Sequence, residues 1–330
     1  MLHRTLKTLL SLALISLLLS GGSLAMQSDN NKTEKTAIVV AAFGTTYPSA
    51  VNSLQSIVRD IESTYPHTPV QMAFTSNIIR KKWHSRADDQ EYRNAHPEVP
   101  DYFYNVKNVL GAMADLQNQG YKTIVVQPTH LTHGEEYLDV EAYVEGLRSI
   151  KTFRKSWQPF DKIALGRPLM GSWGPRFPYP QDIEELAQAL GNDAKATEKQ
   201  KATLVYMGHG NKLLSTALYY EFELEMNKRY PQVKTVVGLV EGHPSFDEAI
   251  EKLKNGNNKK LLLKPLMVVA GDHATNDMAG NEEDSWKTRL LAKGYQITPV
   301  LEGLGDNPAV RRMFINHLQD AATEAGIELR

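Results

Sequence analysis

An internal repeat is the feature of this 330-residue sequence that most limits its fold. Residues 123–136 (TIVVQPTHLTHGEE) align without a gap with residues 260–273 (KLLLKPLMVVAGDH) at an offset of 137 residues. Each segment is an apolar run that ends at a proline and is followed by a short turn, a glycine and an acidic residue. Two weaker matches occur in the same order, FGT (43–45) with MGH (207–209) and AFT (73–75) with LVE (239–241). The chain is therefore predicted to consist of two similar halves.

Short apolar runs alternate with longer amphipathic stretches in both halves. The predicted strands are Ala37–Ala42, Val70–Phe74, Thr123–Gln127, Lys162–Leu165, Thr203–Met207, Thr235–Val240, Lys260–Pro265 and Gln296–Thr298. The predicted helices between them are Ser49–Tyr65, Val106–Gln119, Leu138–Ser149, Asp182–Leu190, Ser215–Arg229 and Phe246–Asn255. This alternation is typical of parallel sheets covered by helices on both faces. We therefore predict an α/β fold with two similar domains, each with a parallel sheet flanked by helices.

The domain boundary is predicted near residues 166–174. The N-terminal domain would span residues 36–168 and the C-terminal domain residues 169–305, which would carry the metal site. Residues 306–330 are predicted to form a final helix, because Asn307-Pro308 is a typical helix start and an apolar stripe follows at helical spacing. This helix must dock on one of the two halves, and the first domain is the expected partner.

The first 25 residues differ from the rest of the chain. Arg4 and Lys7 precede an apolar run at residues 9–19, and Ser23-Leu24-Ala25 supplies small residues of the kind found at cleavage sites. An apolar run of about 11 residues is too short for a membrane span, which needs roughly 20. We predict a cleaved Sec-type signal peptide, a flexible leader at residues 26–35 and a periplasmic mature protein with no membrane span. An uncleaved anchor is the alternative.

Composition narrows the chemistry that this chain can perform. The formal net charge of −1 gives no electrostatic reason to expect nucleic acid as a partner. The absence of cysteine excludes thiolate ligands, disulfides and a cysteine nucleophile, so a metal would have to be bound by histidine and carboxylate side chains. Neither a glycine-rich dinucleotide fingerprint nor a Walker pattern occurs, and no nucleotide cofactor is expected.

Three ligand-type residues follow predicted strands of the second half: His209, Glu241 and His273. Ligands of open parallel sheets bind beyond the carboxyl ends of the strands, which is where these three residues lie. Two imidazoles and one carboxylate suit Co²⁺, Zn²⁺, Fe²⁺ or Ni²⁺ and leave coordination positions open for catalysis. A single histidine near a strand end more often packs than binds a metal, so on residue type alone ligation and packing are about equally favoured. The corresponding places in the first half hold Thr45, Thr75 and Glu136.

Several other polar residues allow more than one interpretation of their role. His130 and His133 bracket a turn and would either form the wall of a cleft or serve as plain turn residues. The basic cluster that begins at Arg80 would either meet ligand carboxylates or form a solvated helix face. His84 and His96 lie in a polar and aromatic stretch without a counterpart in the second half. This insertion would pair subunits or bind an extra ligand, or its histidines would simply lie on the surface.

Eight motifs then point to a known family. They are VVAAFGTTY (39–47), FTSNIIRKK (74–82), HLTHGEEY (130–137), MGHG (207–210), VEGHP (240–244), PLMVVAGDHATNDMAG (265–280), DSWK (284–287) and GLGDNPAVRRMF (303–314). MGHG alone is a weak signal, whereas the GDHxxNDM and DSWK segments are highly specific. On these motifs, which extend in order over nearly the whole mature chain, the sequence resembles the anaerobic sirohydrochlorin cobalt chelatases of the CbiK type, a class II chelatase family.

The resemblance implies a function and a set of roles. It implies two α/β domains with a cleft between them, and a lyase of cobalamin and tetrapyrrole biosynthesis that inserts Co²⁺, or alternatively Fe²⁺, into sirohydrochlorin or a related tetrapyrrole with release of two protons. His209, Glu241 and His273 would hold the metal and accept the protons. The tetrapyrrole would lie against the side chains of Thr45, Arg80, His130, Leu131, Glu136, Met267 and Val268.

The predicted signal peptide departs from the family, whose pathway is normally cytoplasmic. Exported relatives have ties to haem or iron traffic, so haem is a further candidate ligand. A homo-oligomer is a further expectation. The competing function is a periplasmic carrier of haem, another tetrapyrrole or a metal, which would bind its ligand without turnover.

Overall fold

The computed structural model describes residues 35–256 and 258–330, and Lys35–Arg330 form one compact unit. The predicted signal peptide (residues 1–25) and the predicted leader up to residue 34 lie outside the described residues. Among the described residues, no helix combines the length and the apolar character that crossing a membrane requires.

Two four-stranded parallel sheets form the framework of this unit. The first sheet has the order β2-β1-β3-β4 and consists of β1 (Thr36–Ala42), β2 (Val70–Phe74), β3 (Thr123–Pro128) and β4 (Lys162–Leu165). The second has the order β6-β5-β7-β8 and consists of β5 (Thr203–Gly210), β6 (Thr235–Glu241), β7 (Lys260–Leu266) and β8 (Gln296–Pro299). The predicted α/β fold class and all eight strands are confirmed, and the two sheets have the same topology.

Helices flank the two sheets. In chain order they are α1 (Pro48–Thr64), α2 (Asn77–Ser85), α3 (Gln90–Ala95), α4 (Val109–Asn118), α5 (Glu135–Ser149), α6 (Tyr179–Ala189), α7 (Gly191–Gln200), α8 (Ala217–Arg229), α9 (Phe246–Lys254), α10 (Trp286–Ala292) and α11 (Pro308–Glu324). A π-helix spans His273–Met278. The six helices predicted between the strands and the final helix are present, whereas α2, α3, α7, α10 and the π-helix were not predicted.

Strand register revises the predicted match between the halves. Gly44, two residues after β1, and Gly210, the last residue of β5, both have positive φ angles, 101° and 81°. In each sheet, the proline of the neighbouring strand pairs with the residue three positions before this glycine. Phe43 therefore corresponds to His209. The predicted match of Thr45 with His209 is wrong by two residues, because a short motif containing one glycine does not determine the register.

The last helix closes the fold beside the first sheet. In α11, Val310, Phe314, Leu318 and Ala321 form the predicted apolar stripe, and all four side chains are buried. The helix contacts α1, β3 and β4, and also α6. Apolar burial of this kind is the main favourable term in docking an amphipathic helix. The predicted domain boundaries themselves stay predictions.

Candidate active site

A cavity of about 530 Å³ lies at the carboxyl ends of the strands. Its walls come from the segments that follow β1 and β3 of the first sheet, from the end of β5 and the segment that follows β7 in the second, and from α2. The volume falls within the range of about 300–1,000 Å³ that is usual for small-molecule sites. Parallel sheets place their ligands at this edge, so the cavity lies where the fold predicts a binding site.

Two histidine rings meet in the wall of the cavity. The ring centroids of His209 and His273 are 5.1 Å apart, with an angle of 66° between the ring planes. His209 Nδ1 lies 2.9 Å from the carbonyl oxygen of Gly210, and His273 Nδ1 lies 2.5 Å from Asp277 Oδ2. Because both of these partners only accept hydrogen bonds, we assign the protons of the neutral rings to Nδ1. The two Nε2 lone pairs then remain available for a metal.

The π-helix that begins at His273 sets the position of Asp277. Its wider turn is evident where the backbone N–H of Ala279 donates to the carbonyl of Ala274, five residues back. A β-carbon on Gly280 would lie 2.2 Å from the carbonyl oxygen of an earlier residue in this turn, so only glycine fits there. Local backbone geometry therefore brings a carboxylate to the histidine ring.

The third predicted ligand, Glu241, does not line the cavity. It lies at the end of β6, an edge strand, where its backbone pairs with that of Gly210. Within the part of the chain that the structure describes, no group of three or more histidine and acidic side chains is close enough to hold a metal. The described site thus offers two imidazoles, a donor set that suits Co²⁺ and similar divalent ions. Ligation by Glu241 stays a prediction.

His130 is a residue of the cavity wall whose ring nitrogens lack hydrogen-bond partners in the described part of the chain. Both of its ring nitrogens are buried and have no hydrogen-bond partner among the described residues. Burial lowers the pKa of His130 to about 4, so the ring is neutral at pH 7. Buried polar atoms without partners carry a free-energy cost, which a ligand could remove by hydrogen bonding to them.

Apolar side chains make up much of the cavity wall. Leu131, Met267 and Val268 all line the cavity, as do the polar residues Thr45 and Glu136. Further apolar lining comes from Phe43, Leu54, Ile78, Ile79, Leu266 and Val269. A predominantly apolar lining with a few polar groups matches a flat, largely apolar ligand with polar substituents.

The basic residue of the cavity is Lys82, not Arg80. Both lie on α2, where Trp83 is buried and donates a hydrogen bond from Nε1 to the carbonyl of Thr45, at 2.7 Å. Lys82 lines the cavity, whereas Arg80 points to a separate small depression beside Lys107 and donates to the side chain of Asn77. Neighbouring residues on a helix face different directions, which is why the sequence cluster could not distinguish them.

The remaining predicted histidines lie outside the cavity. His84 Nε2 is 2.8 Å from the carbonyl oxygen of Val106 and borders the same small depression as Arg80. His96 packs against the ring of Tyr92 and has Nδ1 3.2 Å from Glu98 Oε1. An extra ligand at either histidine stays a prediction.

Hydrogen bonds join the two halves on either side of the cavity. Tyr47 Oη donates to Asp272 Oδ1 at 2.7 Å and accepts from Asn276 Nδ2 at 2.9 Å. The hydrogen bond to Asp272 is the main cause that raises the pKa of Tyr47. Elsewhere in the cavity wall, Asn211 Nδ2 donates to Thr132 Oγ1 at 3.1 Å. These contacts restrain the distance between the two walls.

Sequence patterns did not single out Tyr47, and they marked Lys82 only as a member of the basic cluster that begins at Arg80. The His-x-x-x-Asp spacing at 273–277 was a usable signal, because side chains four residues apart meet on a helical turn. Nothing comparable pointed to Tyr47, whose partners lie more than 200 residues away in the chain.

Known proteins are similar to this chain over most of its length. The family described as Cobalt chelatase (CbiK) matches residues 36–323. Sirohydrochlorin cobaltochelatase of Salmonella typhimurium is 33% identical over 293 residues, which cover 88% of this chain and 98% of that protein. Sirohydrochlorin cobaltochelatase CbiKC of Nitratidesulfovibrio vulgaris is 29% identical over 289 residues, with coverage of 88% and 91%. The solved structure of SirB from Bacillus subtilis with Fe³⁺ has a similar fold, with a TM-score of 0.56 at 14% identity over 90% of this chain and 100% of that one.

Proposed function

The chain belongs to the cobalt chelatase (CbiK) family, and from that premise we infer that it is a sirohydrochlorin cobaltochelatase, an enzyme of the lyase type. The single observation that best supports this inference is the pair of histidines in the apolar cavity, His209 and His273, whose Nδ1 atoms already have partners. Such a pair can hold a divalent ion beside a tetrapyrrole. The reaction belongs to cobalamin biosynthesis.

His209 and His273 would bind Co²⁺ through their Nε2 atoms. Two protein ligands leave the other coordination positions of the ion to water and, during transfer, to the pyrrole nitrogens. A site with few protein ligands suits a metal that is a substrate, because the ion must leave the protein once in every turnover. Glu241 is proposed as a further ligand that would reduce the net charge of the bound ion.

Metal insertion also releases two protons. Co²⁺ replaces the hydrogens of two pyrrole N–H groups, and the products are the cobalt complex and two H⁺. When the ion passes to the macrocycle, the Nε2 lone pairs of His209 and His273 become free and can each accept a proton. The same two rings would thus serve as metal ligands before the transfer and as proton acceptors after it.

The tetrapyrrole would bind between the apolar wall and the histidine pair. Leu131, Met267 and Val268 would contact the faces of the macrocycle, and the unpartnered nitrogens of His130 would receive a hydrogen bond from it or donate one to it. Lys82 is the cation proposed to pair with carboxylates of the substrate. Arg80 would act only on a substituent that extends out of the cavity.

The decisive experiment is an absorbance time course with sirohydrochlorin and Co²⁺, run in parallel with Fe²⁺. We expect conversion of many equivalents of tetrapyrrole per protein, above the uncatalysed rate. His209→Ala and His273→Ala should each abolish most of the activity while leaving the fold intact. His67→Ala is the matched control, since this exposed histidine lies outside the cavity.

Two results would overturn the proposal. Tight binding of tetrapyrrole without turnover would identify a carrier in place of an enzyme. Wild-type rates in both cavity variants would remove the histidine pair from the mechanism. The ratio of the Co²⁺ and Fe²⁺ rates identifies the preferred metal.

We also propose that the mature protein is exported. The support is the residue pattern of positions 1–25, in which a positive start, a short apolar run and Ser23-Leu24-Ala25 occur in order. Mass spectrometry of the protein recovered from the periplasmic fraction of an expressing bacterium should show an N-terminus at Met26. Recovery of the uncut chain from the cytoplasm would contradict the proposal.

A further inference from the structure

An exposed aromatic and basic segment at residues 148–160 has no role in the chemistry described above. Phe153 is 100% exposed, Trp157 is 63% exposed and Ile150 is 38% exposed. Large apolar side chains that are this exposed are a cost in water unless they meet a partner. We call residues 148–160 the aromatic-basic loop.

Positive charge surrounds these apolar side chains. Between residues 148 and 160 the sequence contains four basic residues and no acidic residue, although the whole chain has a net charge of −1. Lys151, Arg154 and Lys155 are exposed, and none of them forms a salt bridge within residues 35–256 and 258–330. The guanidinium of Arg154 lies 4.6 Å from the centre of the Trp157 ring. Cations and aromatic rings therefore share one surface.

Polar contacts fix the backbone of the aromatic-basic loop. Lys122 Nζ donates to the carbonyl of Gln158 at 2.8 Å, and the Gln158 side chain donates to the carbonyl of Ile150. Thr152 Oγ1 donates to the carbonyl of Arg154 at 2.7 Å. A segment held in this way displays its side chains without a large loss of conformational entropy on binding.

The aromatic-basic loop and the cavity lie at opposite ends of the strands of the first sheet. It connects the end of α5 to the start of β4, so it lies at the amino ends of the parallel strands. The cavity lies at the carboxyl ends of the same sheet. A partner bound to the loop would therefore leave the cavity open to its substrates.

We propose that the aromatic-basic loop docks the protein on the surface of an anionic phospholipid bilayer. The Trp157 indole favours the headgroup region, where its ring can be buried while its N–H stays wet, and the Phe153 ring adds apolar area at the same boundary. Lysine and arginine beside them are attracted by the negative surface potential of such a bilayer. The protein binds at the surface and does not cross the membrane.

The test is sedimentation of the protein with lipid vesicles. The protein is expressed from Lys35, so that the apolar run at residues 9–19 does not contribute, and it retains the compact unit and the whole family match. We expect binding to phosphatidylglycerol vesicles at low salt, weaker binding at high salt, and little binding to phosphatidylcholine vesicles. Lys151→Gln with Lys155→Gln should weaken binding about fivefold for each cation removed.

Removal of the two aromatic rings tests the apolar contribution to vesicle binding. Phe153→Ser with Trp157→Ser should weaken vesicle binding by at least about tenfold, because each ring loses its burial in the headgroup region. Trp173→Ser is the matched control, since Trp173 is 91% exposed outside the loop. Both variants should insert Co²⁺ into sirohydrochlorin at the rate of the parent protein, which also shows that they are folded.

Three outcomes would overturn the proposal. The first is equal binding of the parent and the Phe153/Trp157 variant to anionic vesicles. The second is self-association that depends on Phe153 and Trp157, which would identify a second copy of the chain as the partner. The third is binding of a single-stranded oligonucleotide in preference to vesicles.

Discussion

At the scale of single residues, the histidine pair is defined by what each Nδ1 atom contacts. His209 uses a backbone carbonyl of its own strand end, which substitution of other side chains does not remove. His273 uses the carboxylate of Asp277, which can be deleted. Because this carboxylate fixes the orientation and the tautomer of the His273 ring, Asp277 should affect both metal affinity and rate.

Asp277→Ala is therefore expected to weaken Co²⁺ binding and to slow insertion by about 10- to 100-fold, the usual effect of losing the partner of a metal-binding histidine. Asp247→Ala is the control, since Asp247 is an exposed carboxylate paired with Arg289. Calorimetric titration of Co²⁺ without tetrapyrrole measures affinity, and the absorbance time course measures rate. Unchanged values for Asp277→Ala would mean that a carboxylate at this position is not needed to orient His273.

The low pKa of His130 predicts how the free energy of unfolding changes at acid pH. Its pKa in the folded protein is about 4, below the value of about 6.5 in an unfolded chain, so the unfolded chain binds the proton first. The free energy of unfolding should therefore fall as the pH drops through this range, and His130 should account for about 2 kcal/mol between pH 7.5 and pH 5.

The measurement for His130 is urea unfolding of the parent protein and of His130→Phe at both pH values. Other titrating groups are common to the two proteins, so the difference between their pH dependences isolates this ring. The parent should lose about 2 kcal/mol more than the variant. Equal losses would show that water or another proton acceptor reaches His130 in the folded state.

At the scale of elements, the sequence predicted what apolar periodicity can reveal. The prediction of all eight strands was confirmed, although β8 (QITP) is short, largely exposed and has one aliphatic residue. Helix α7 was missed because it is polar all round, with only Ala194 and Thr197 buried. The π-helix was missed because its wide turn does not follow the 3.6-residue period. The latter omission concerned the site directly, since this π-helix carries both His273 and Asp277.

A buried charge network joins three elements behind the cavity. Arg167, just after β4, contacts Asp182 of α6 through two hydrogen bonds of 2.8 and 2.9 Å, and His317 of α11 lies 3.1 Å from the same carboxylate. Burial alone would raise the pKa of Asp182, but hydrogen bonds from His317 and Arg167 hold it below its usual value. The stability that Asp182 contributes is thus present above pH of about 4 and is lost as the pH falls further.

Asp182→Asn should lower the free energy of unfolding by about 3 kcal/mol or more, because it leaves the buried cation of Arg167 without its main partner. Asp320→Asn is the matched control. Asp320 accepts from Arg167 on the outer side of the network, where solvent screens the pair, and its loss should cost less than about 1 kcal/mol. Denaturant unfolding at pH 7 compares the two. Similar losses in both variants would contradict a special role for the buried carboxylate.

At the scale of the whole molecule, the two similar halves contribute different side chains to the cavity. The two sheets share their topology, yet Phe43 occupies the place in the first half that His209 occupies in the second. Both residues line the cavity, so one half offers an aromatic ring and the other an imidazole, the side chain proposed to bind the metal. The sequence repeat predicted the two halves, but only the strand register showed which residues correspond.

This arrangement requires the two halves to stay at a fixed distance, and Tyr47 provides the test. Its hydroxyl links the loop after β1 to Asp272 and Asn276 beside the histidine pair. Without the hydroxyl, the cavity would sample more widths, and only a fraction of them would bind the tetrapyrrole. The apparent affinity for the tetrapyrrole is then the intrinsic affinity multiplied by the fraction of molecules with a suitable cavity width. For Tyr47→Phe we therefore expect KM for sirohydrochlorin to rise about fivefold, the equivalent of one exposed hydrogen bond, with kcat unchanged.

The control for Tyr47→Phe is Tyr143→Phe, which removes a hydroxyl from the outer part of α5. Steady-state rates over a range of sirohydrochlorin concentrations, at saturating Co²⁺, separate KM from kcat. A lower kcat at constant KM would assign Tyr47 to metal transfer itself, since the defect would then persist after the substrate is bound. Unchanged KM and kcat would show that the contact between Thr132 and Asn211 suffices to hold the walls together. A higher KM with an unchanged kcat is the result expected if the Tyr47 hydroxyl acts only on the distance between the two halves.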